Sequence, residues 1–300
     1  MMRSGNKKWH GNTEELPLMS QPSASNSDPH PFLKWAGGKG QLLEELRAQA
    51  LRATPFGRYH EPFVGGGALF FALYRSKLLG HRKAILSDNN PNLISVYTSI
   101  QQDVEKIIKQ LRVHQAHHSK EYYYDVRAHV PEALPERAAR IIYLNKTCFN
   151  GLYRENSKGL FNVPMGDYKN PLICDEDNLR AVSEALQHTR ITQQHFSAVL
   201  NDAKPGDFVY FDPPYHPISS TASFTAYAKG GFGETDQHEL AKVFAKLTQR
   251  GVKALLSNSM TPFVCDLYAK FTIDEVLATR SVNSRADRRG KISEALIRNF

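Results

Sequence analysis

The stretch that most limits how this chain can fold is Asp207-Phe-Val-Tyr-Phe-Asp-Pro-Pro-Tyr215. Phe208 to Phe211 is an unbroken apolar run of the length of a buried strand. Pro213 and Pro214 lack the N–H that a sheet ladder needs, so that strand must end near Asp212. A carboxylate, a stiff turn with carbonyls but no amide donors, and the ring of Tyr215 are thereby fixed at a strand's carboxyl end. Open α/β sheets bind ligands there. A plain Asp-Pro turn beside a core tyrosine is the simpler alternative, and the second proline behind a buried strand argues against it.

Two further stretches point to a nucleoside. In Glu61-Pro-Phe-Val-Gly-Gly-Gly67, three glycines lie between an expected strand end and a helix expected from Ala68 to Leu79. Glycines there let backbone approach a ligand and aim helix N–H groups at it. About twenty residues on, the apolar Ala84-Ile-Leu-Ser ends in Asp88, the interval at which Rossmann-type folds place a ribose-binding acid. Asn90 and Pro91 supply the cap and first-turn proline of the next helix, expected over Asn92 to Leu111, which leaves Asp88 for another task. Upstream, Gly37-Gly38-Lys39 fails the nucleotide-triphosphate loop pattern because Gly40 stands where Ser or Thr is required. A glycine turn with a lysine can hold other anions.

Between Asn145 and Lys169, Asn and Gly turn formers alternate with aromatics and cations. Such a loop or hairpin suits nucleic acid: aromatics wedge or stack, while Arg and Lys reach guanine edges and phosphates. A polar surface hairpin is the plainer alternative. The net charge of +8 also favours a polyanion. Residues 1–30 read as a mobile tail. Helices are expected near Glu136–Leu144, Asp177–His188 and Thr235–Arg250, the last with Asp236 and Glu239 as a capping box and Gly251 as its stop. Strands are expected at Ile191–Phe196, Val252–Ser257, Thr272–Ala278 and Glu294–Asn299. Arg280 to Lys291 forms a basic hairpin tip that suits a DNA backbone, or plain solvated surface.

Three hundred residues, 41% hydrophobic and 23% charged, suit one large or two modest globular domains. No apolar run nears the ~18 residues of a membrane span, and the N-terminus lacks the apolar core of an export signal. Cys148, Cys174 and Cys265 are odd in number and show no C-x-x-C spacing, which points to reduced thiols rather than disulfides or zinc ligands. The expectation is a cytoplasmic, monomeric protein without membrane or obligate protein partners.

A nucleoside-bearing cofactor and a nucleic-acid base would therefore meet at the strand ends, and methylation of an amine fits both. An exocyclic amine conjugated to its ring is a poor nucleophile. Asp212 and the Pro213 carbonyl can hold its two hydrogens, favour a pyramidal nitrogen and stabilise the developing positive charge. Tyr215 would stack on the base, which must leave the duplex. The sulfonium of S-adenosylmethionine would supply the methyl group, with no metal required.

The blocks Phe32-Leu-Lys-Trp-Ala-Gly-Gly-Lys39, Glu61 to Gly67, Ser87 to Ile94, Phe149-Asn-Gly-Leu-Tyr-Arg154, Phe161-Asn-Val-Pro164, Asp212-Pro-Pro-Tyr215 and Phe224-Thr-Ala-Tyr227 resemble, in order, those of the Dam-type DNA adenine-N6 methyltransferases. The resemblance runs from about residue 31 to the C-terminus. It implies a Rossmann-like, S-adenosylmethionine-dependent methyltransferase fold: α/β, a mostly parallel sheet with an antiparallel C-terminal hairpin. Residues 31–90 and 175–300 would form the catalytic domain, and 91–174 an inserted, mainly helical recognition domain with a β-hairpin. Asp212, Pro213, Pro214 and Tyr215 would be catalytic. Trp35, Lys39, Phe63, Gly65, Asp88 and Asp212 would contact the cofactor. Lys34 and Arg154 would read guanines of double-stranded DNA, and Asn150, Leu152, Pro164 and Tyr168 would be further recognition positions. Phe149, where the family often has Tyr, would enter the base stack. The implied target is GATC, or a longer site containing GAT. Rivals are methylation of RNA or of the cytosine amine, a silent DNA-binding protein, and an NAD enzyme. Asp at position 212 favours adenine over the cytosine amine, since the cytosine enzymes more often carry Ser there; the intact motifs disfavour the silent protein, and the lack of G-x-G-x-x-G the NAD enzyme.

Overall fold

The computed structural model describes residues 28–35, 39, 42–156, 158–218, 232–279 and 291–300. The tail as far as residue 27, the Gly37–Gly38 turn, the block Phe224 to Tyr227 and the basic stretch from Arg280 to Gly290 lie outside the described residues.

The described strands are β1 (Tyr59–Glu61), β2 (Ala84–Asp88), β3 (Thr189–Gln193), β4 (Phe208–Phe211), β5 (Lys253–Ser259), β6 (Thr272–Thr279) and β7 (Lys291–Arg298). They form one seven-stranded sheet in the order β3-β2-β1-β4-β5-β7-β6. β7 runs antiparallel to β5 and β6, and the other pairings are parallel. This is the expected mostly parallel α/β sheet with an antiparallel C-terminal pair. Strand order reverses between β1 and β4, which opens a crevice at their carboxyl ends. The glycine turn follows β1 and Asp212-Pro-Pro-Tyr215 follows β4, so both motifs open onto it.

The helices are α1 (Leu43–Arg52), α2 (Ala68–Arg75), α3 (Pro91–Ala116), α4 (Lys120–Ala128), α5 (Leu134–Thr147), α6 (Glu176–Leu186), α7 (Val199–Asp202), α8 (Glu234–Gln249) and α9 (Pro262–Leu267). Two-residue alternation sorts the central strands between two cores. Tyr59, Phe208, Tyr210 and Leu255 face the core that continues into α1, α2, α3, α5 and α6. Val209, Phe211, Ala254 and Leu256 face Leu240, Phe244 and Leu247 of α8. Helix α3 packs on β2, β3 and α6 as well as on α5, so the helical insertion shares the sheet's core. No described helix is long and apolar enough to cross a membrane.

Most expected elements form, with shifted ends. Asn90 caps α3 by accepting from Asn92 N and Leu93 N, with Pro91 in the first turn. Helix α2 stops at Arg75, short of Leu79, because Lys77 takes a φ of 57°. β3 starts at Thr189 and ends at Gln193, set by its pairing with all of β2. β7 starts at Lys291 because that residue pairs Thr279. At the start of α8 the carboxylate that reaches back is Asp236, accepting from Gly233 N at 2.8 Å. Glu239 takes no part, since Gly233 and not Asp236 is the cap residue.

At the amino end of β4, Asp207 is locked by donors. It accepts from Arg58 N, the Arg58 guanidinium, Lys204 N and His60 Nε2 at 2.8–3.1 Å. Burial alone would raise its pKa, but these donors outweigh burial and hold it below the usual range. A depressed folded-state pKa contributes stability above the unfolded value of about 3.9 that is lost as pH falls through the folded one. Asp207→Ala should therefore cost about 3–5 kcal/mol in urea unfolding at neutral pH. The deficit should shrink as pH falls below about 4, where the native carboxylate also protonates. Equal deficits at both pH values would refute the assignment.

Candidate active site

The crevice is built from three separate parts of the chain. Lys39, almost fully buried, brings Nζ to 2.8 Å from Asp212 Oδ1, and that ammonium lies 4.3 Å from the centre of the Tyr215 ring. Ser257 Oγ donates to the same Oδ1 at 2.9 Å and shares a 3.0 Å hydrogen bond with Tyr210. Tyr215 donates its hydroxyl to Glu294 of β7 at 2.7 Å. Burial raises the Asp212 pKa, while Lys39 and the Ser257 hydroxyl oppose that rise. The two ends of β4 thus carry carboxylates in opposite states. Asp207 is saturated with donors, and Asp212 is desolvated with few.

Neighbouring elements immobilise the proline turn. Gln237 Nε2 of α8 donates to the Pro214 carbonyl at 3.0 Å, and Asn258 Nδ2 in turn donates to Gln237 Oε1. Asn258 Oδ1 accepts from His216 N at 2.9 Å. Ser257, Asn258 and Ser259 are all buried. None was singled out from sequence, although three polar residues closing an apolar strand beside β4 are a readable signal.

Glu61, the last residue of β1, shares the face of Tyr59, from which it accepts a hydrogen bond at 2.8 Å. Burial, with the Asp212 charge adding to it and the Tyr59 bond opposing, pushes its pKa up to about 8. Burial thus favours the neutral form of Glu61, and Asp212 is the carboxyl that an ammonium compensates.

Beside this, the glycine turn and Asp88 form a cradle. Gly65 and Gly67 have φ of 47° and 67°, a region costly for other residues. A Cβ on Gly65 would lie 2.9 Å from the Trp35 ring, and one on Gly67 would lie 2.8 Å from the Tyr97 hydroxyl. Asp88 accepts from Gly65 N at 3.3 Å and from Asn90 N at 3.0 Å. It is therefore not fully free, since one task of its carboxylate is to join the two turns. Phe63 stacks on Phe196 and meets Phe232 edge-on. Phe196 follows β3 and Phe232 precedes α8, so nothing local in the sequence records that both meet Phe63.

The positions expected to read DNA also converge. Lys34, Phe149, Asn150, Leu152, Arg154 and Pro164 are exposed and Tyr168 is half-buried. Phe149 N donates to the Pro164 carbonyl at 2.9 Å, and Lys34 Nζ sits 4.1 Å above the Tyr168 ring. Fully buried Asn145 joins the segments: Oδ1 accepts from Lys34 N, and Nδ2 donates to the carbonyls of Lys34 and Gly151. Sequence reading used Asn145 only as the edge of the loop. Arg154 donates through Nε to Asn162 Oδ1 at 2.8 Å. Phe149 is 51% exposed, a large aromatic held outward on a basic surface.

An α/β sheet with an Asp-Pro-Pro-Tyr crevice, a glycine cradle and an exposed loop of cations and aromatics fits a group-transfer enzyme that acts on nucleic-acid bases. The family model for D12 class N6 adenine-specific DNA methyltransferases matches residues 35–282, and the chain belongs to that family. It is 42% identical over 278 residues to type II methyltransferase M1.LlaDCHI of Lactococcus lactis, covering 90% of this chain and 95% of the relative. It is 43% identical over 287 residues to type II methyltransferase M.MjaIII of Methanocaldococcus jannaschii, covering 90% and 99%. To the DNA adenine methylase of Escherichia coli it is 34% identical over 271 residues, covering 88% and 93%. The chain is thus an adenine-specific DNA methyltransferase.

An ionised Asp212 is the form that accepts an amine hydrogen, and Lys39 favours that form. Lys39→Met should therefore move the acid limb of the rate profile to higher pH, measured with both substrates saturating, while Lys39→Arg largely retains the wild-type limb. An unshifted limb in the Met variant would separate Lys39 from Asp212 ionisation.

Proposed function

We propose that this chain transfers a methyl group from S-adenosylmethionine to the N6 amine of adenine in a short double-stranded site, GATC. The adenine turns out of the duplex to reach the Asp212–Tyr215 crevice. The observation that carries this reading is the meeting of the Lys39–Asp212 pair, the glycine cradle and the exposed loop around the carboxyl ends of β1 and β4.

The cradle fits the cofactor. A carboxylate has roughly four acceptor positions. Two backbone donors engage Asp88, so ribose hydroxyls can use the rest. Trp35 lies against the bare backbone of Gly65, where a side chain would displace it. Trp35, Lys39, Phe63, Gly65, Asp88 and Asp212 would hold the molecule, which supplies a methyl group on a positively charged sulfur.

Asp212 carries the polar part of the reaction. Lys39 and Ser257 both engage Oδ1, which directs the amine to the other oxygen. A carboxylate and the Pro213 carbonyl then hold both amine hydrogens and stabilise the charge that grows on nitrogen. The Gln237 bond to Pro214 keeps that carbonyl's turn from shifting. The ring of Tyr215, tethered by Glu294, offers a stacking face for a base. Residues 91–174 supply target recognition: Lys34 and Arg154 bond guanine edges, Phe149 fills the stack, and Asn150, Leu152, Pro164 and Tyr168 shape the surface around them.

Expression in methylation-free cells tests the site directly. Their DNA should resist a GATC nuclease blocked by adenine methylation and yield to one that requires it. Sensitivity to the first nuclease at most GATC sites would point to a longer target. In the same assay Asp212→Ala should give no methylation while the protein stays folded. Arg154→Ala should lose about 1–3 kcal/mol of discrimination at one guanine. A uniform loss across all sequences would make Arg154 a phosphate contact instead.

A further inference from the structure

Arg154 stands between two neighbours, Tyr153 and Glu155, that are linked to the cofactor cradle. On one side, Tyr153 stacks on Trp35, with ring centres 5.2 Å apart and planes at 30°. Trp35 in turn rests on Gly65. On the other side, Glu155 Oε1 accepts from Asn92 Nδ2 at 2.7 Å. Asn92 N donates to Asn90 Oδ1, Asn90 N to Asp88 Oδ1, and Gly65 N to Asp88 Oδ2. The Tyr153 hydroxyl closes the circuit by donating to Glu155. A continuous ring of contacts thus runs from Gly65 through Trp35, Tyr153, Glu155, Asn92, Asn90 and Asp88 back to Gly65. Arg154 projects from it to solvent.

We propose that Tyr153 and Glu155 are positioning residues that couple occupation of the cofactor cradle to guanine reading by Arg154. This rests on the function proposed above. Neither residue is among the proposed contacts to cofactor or DNA. Three of its seven members, Trp35, Gly65 and Asp88, are expected to touch the cofactor. Tyr153 and Glu155 flank the arginine, and Asn92 and Asn90 join Glu155 to Asp88. The Arg154 carbonyl accepts from Asn162 N within the loop, and Asn145, Tyr123 and Arg127 tie the loop to the helices through the Gly151 and Val163 carbonyls. The Trp35 stack and the Asn92 bond are the ties that run from the two neighbours of Arg154 toward the cradle. Ordering the cradle orders these anchors, so part of the entropy cost of holding Arg154 is removed before DNA arrives. Linkage makes the effect reciprocal: target DNA must tighten cofactor binding by the same factor.

The measurement is the affinity of the full-length protein for S-adenosylhomocysteine, with and without a short duplex containing one GATC site. The ratio of the two dissociation constants should be about fivefold or more for the wild type. Tyr153→Leu removes the stack and Glu155→Leu removes the acceptor; each should bring the ratio below about twofold. Glu155→Gln keeps an acceptor for Asn92 and should restore the wild-type ratio. Affinity for S-adenosylhomocysteine without DNA, little changed in the Leu variants, shows that they are folded. A tie that only stabilises the loop would weaken duplex binding equally with and without S-adenosylhomocysteine and leave the ratio intact, which would overturn the proposal. So would a wild-type ratio near one. Failure of the wild type to bind S-adenosylhomocysteine or to methylate the duplex would sink the functional reading itself, and the coupling with it.

Discussion

Asp207 and Asp212 stand at opposite ends of one four-residue strand, and what surrounds each decides what the molecule can do. Backbone and side-chain donors close around Asp207 and make it a structural anchor joining β4 to β1. Asp212 lies beyond the strand's last ladder position, where two prolines remove the amides that would otherwise engage it. It has one ammonium and one hydroxyl on a single oxygen. A half-buried carboxylate with so few partners in a crevice is a candidate functional group. The surrounding β5, α8 and β7 contribute polar groups to keep the turn still, and none of them is explained by packing alone.

The crevice owes its place to topology. Reversal of strand order between β1 and β4 sends the connections after these strands to opposite faces of the sheet, so the two turns are left facing each other across a gap. The cradle fills one side and the proline turn the other. Of the residues before α1, Lys34 lies over the Tyr168 ring, Trp35 lies against the cradle and Lys39 reaches Asp212. Three consecutive tasks are thereby handled by one short stretch whose backbone is clamped by Asn145.

Much of this was legible in the residues themselves. The apolar run and double proline placed the end of β4, and Asn90-Pro91 placed the start of α3. The glycine turn and Asp88 were visible as a pair at the right interval. The resemblance of the ordered blocks supplied the proposed roles of residues such as Lys34 and Tyr168, whose chemistry alone assigns nothing. Strand and helix ends were less legible because pairing partners set them: β3 takes its limits from β2, and the start of β7 from Thr279. The capping of α8 shifted for a similar local reason, since the cap residue is a glycine without a side chain of its own.

What the sequence by itself determined was the chemistry available and the order in which it is met along the chain. Proline's missing donor, glycine's backbone range and an acid at a strand end act through covalent structure and local sterics, which need no distant partner. What only tertiary structure decided was the electrostatic state of those groups and who supports them. Asn145, Ser257, Gln237 and Glu61 are ordinary residues until folding removes water around them. Desolvation and a single placed hydrogen bond then set their worth, and both depend on neighbours far away in the chain. The same holds for the ring joining Gly65 to Tyr153 and Glu155. Its members span residues 35 to 155, and no local pattern records that they touch.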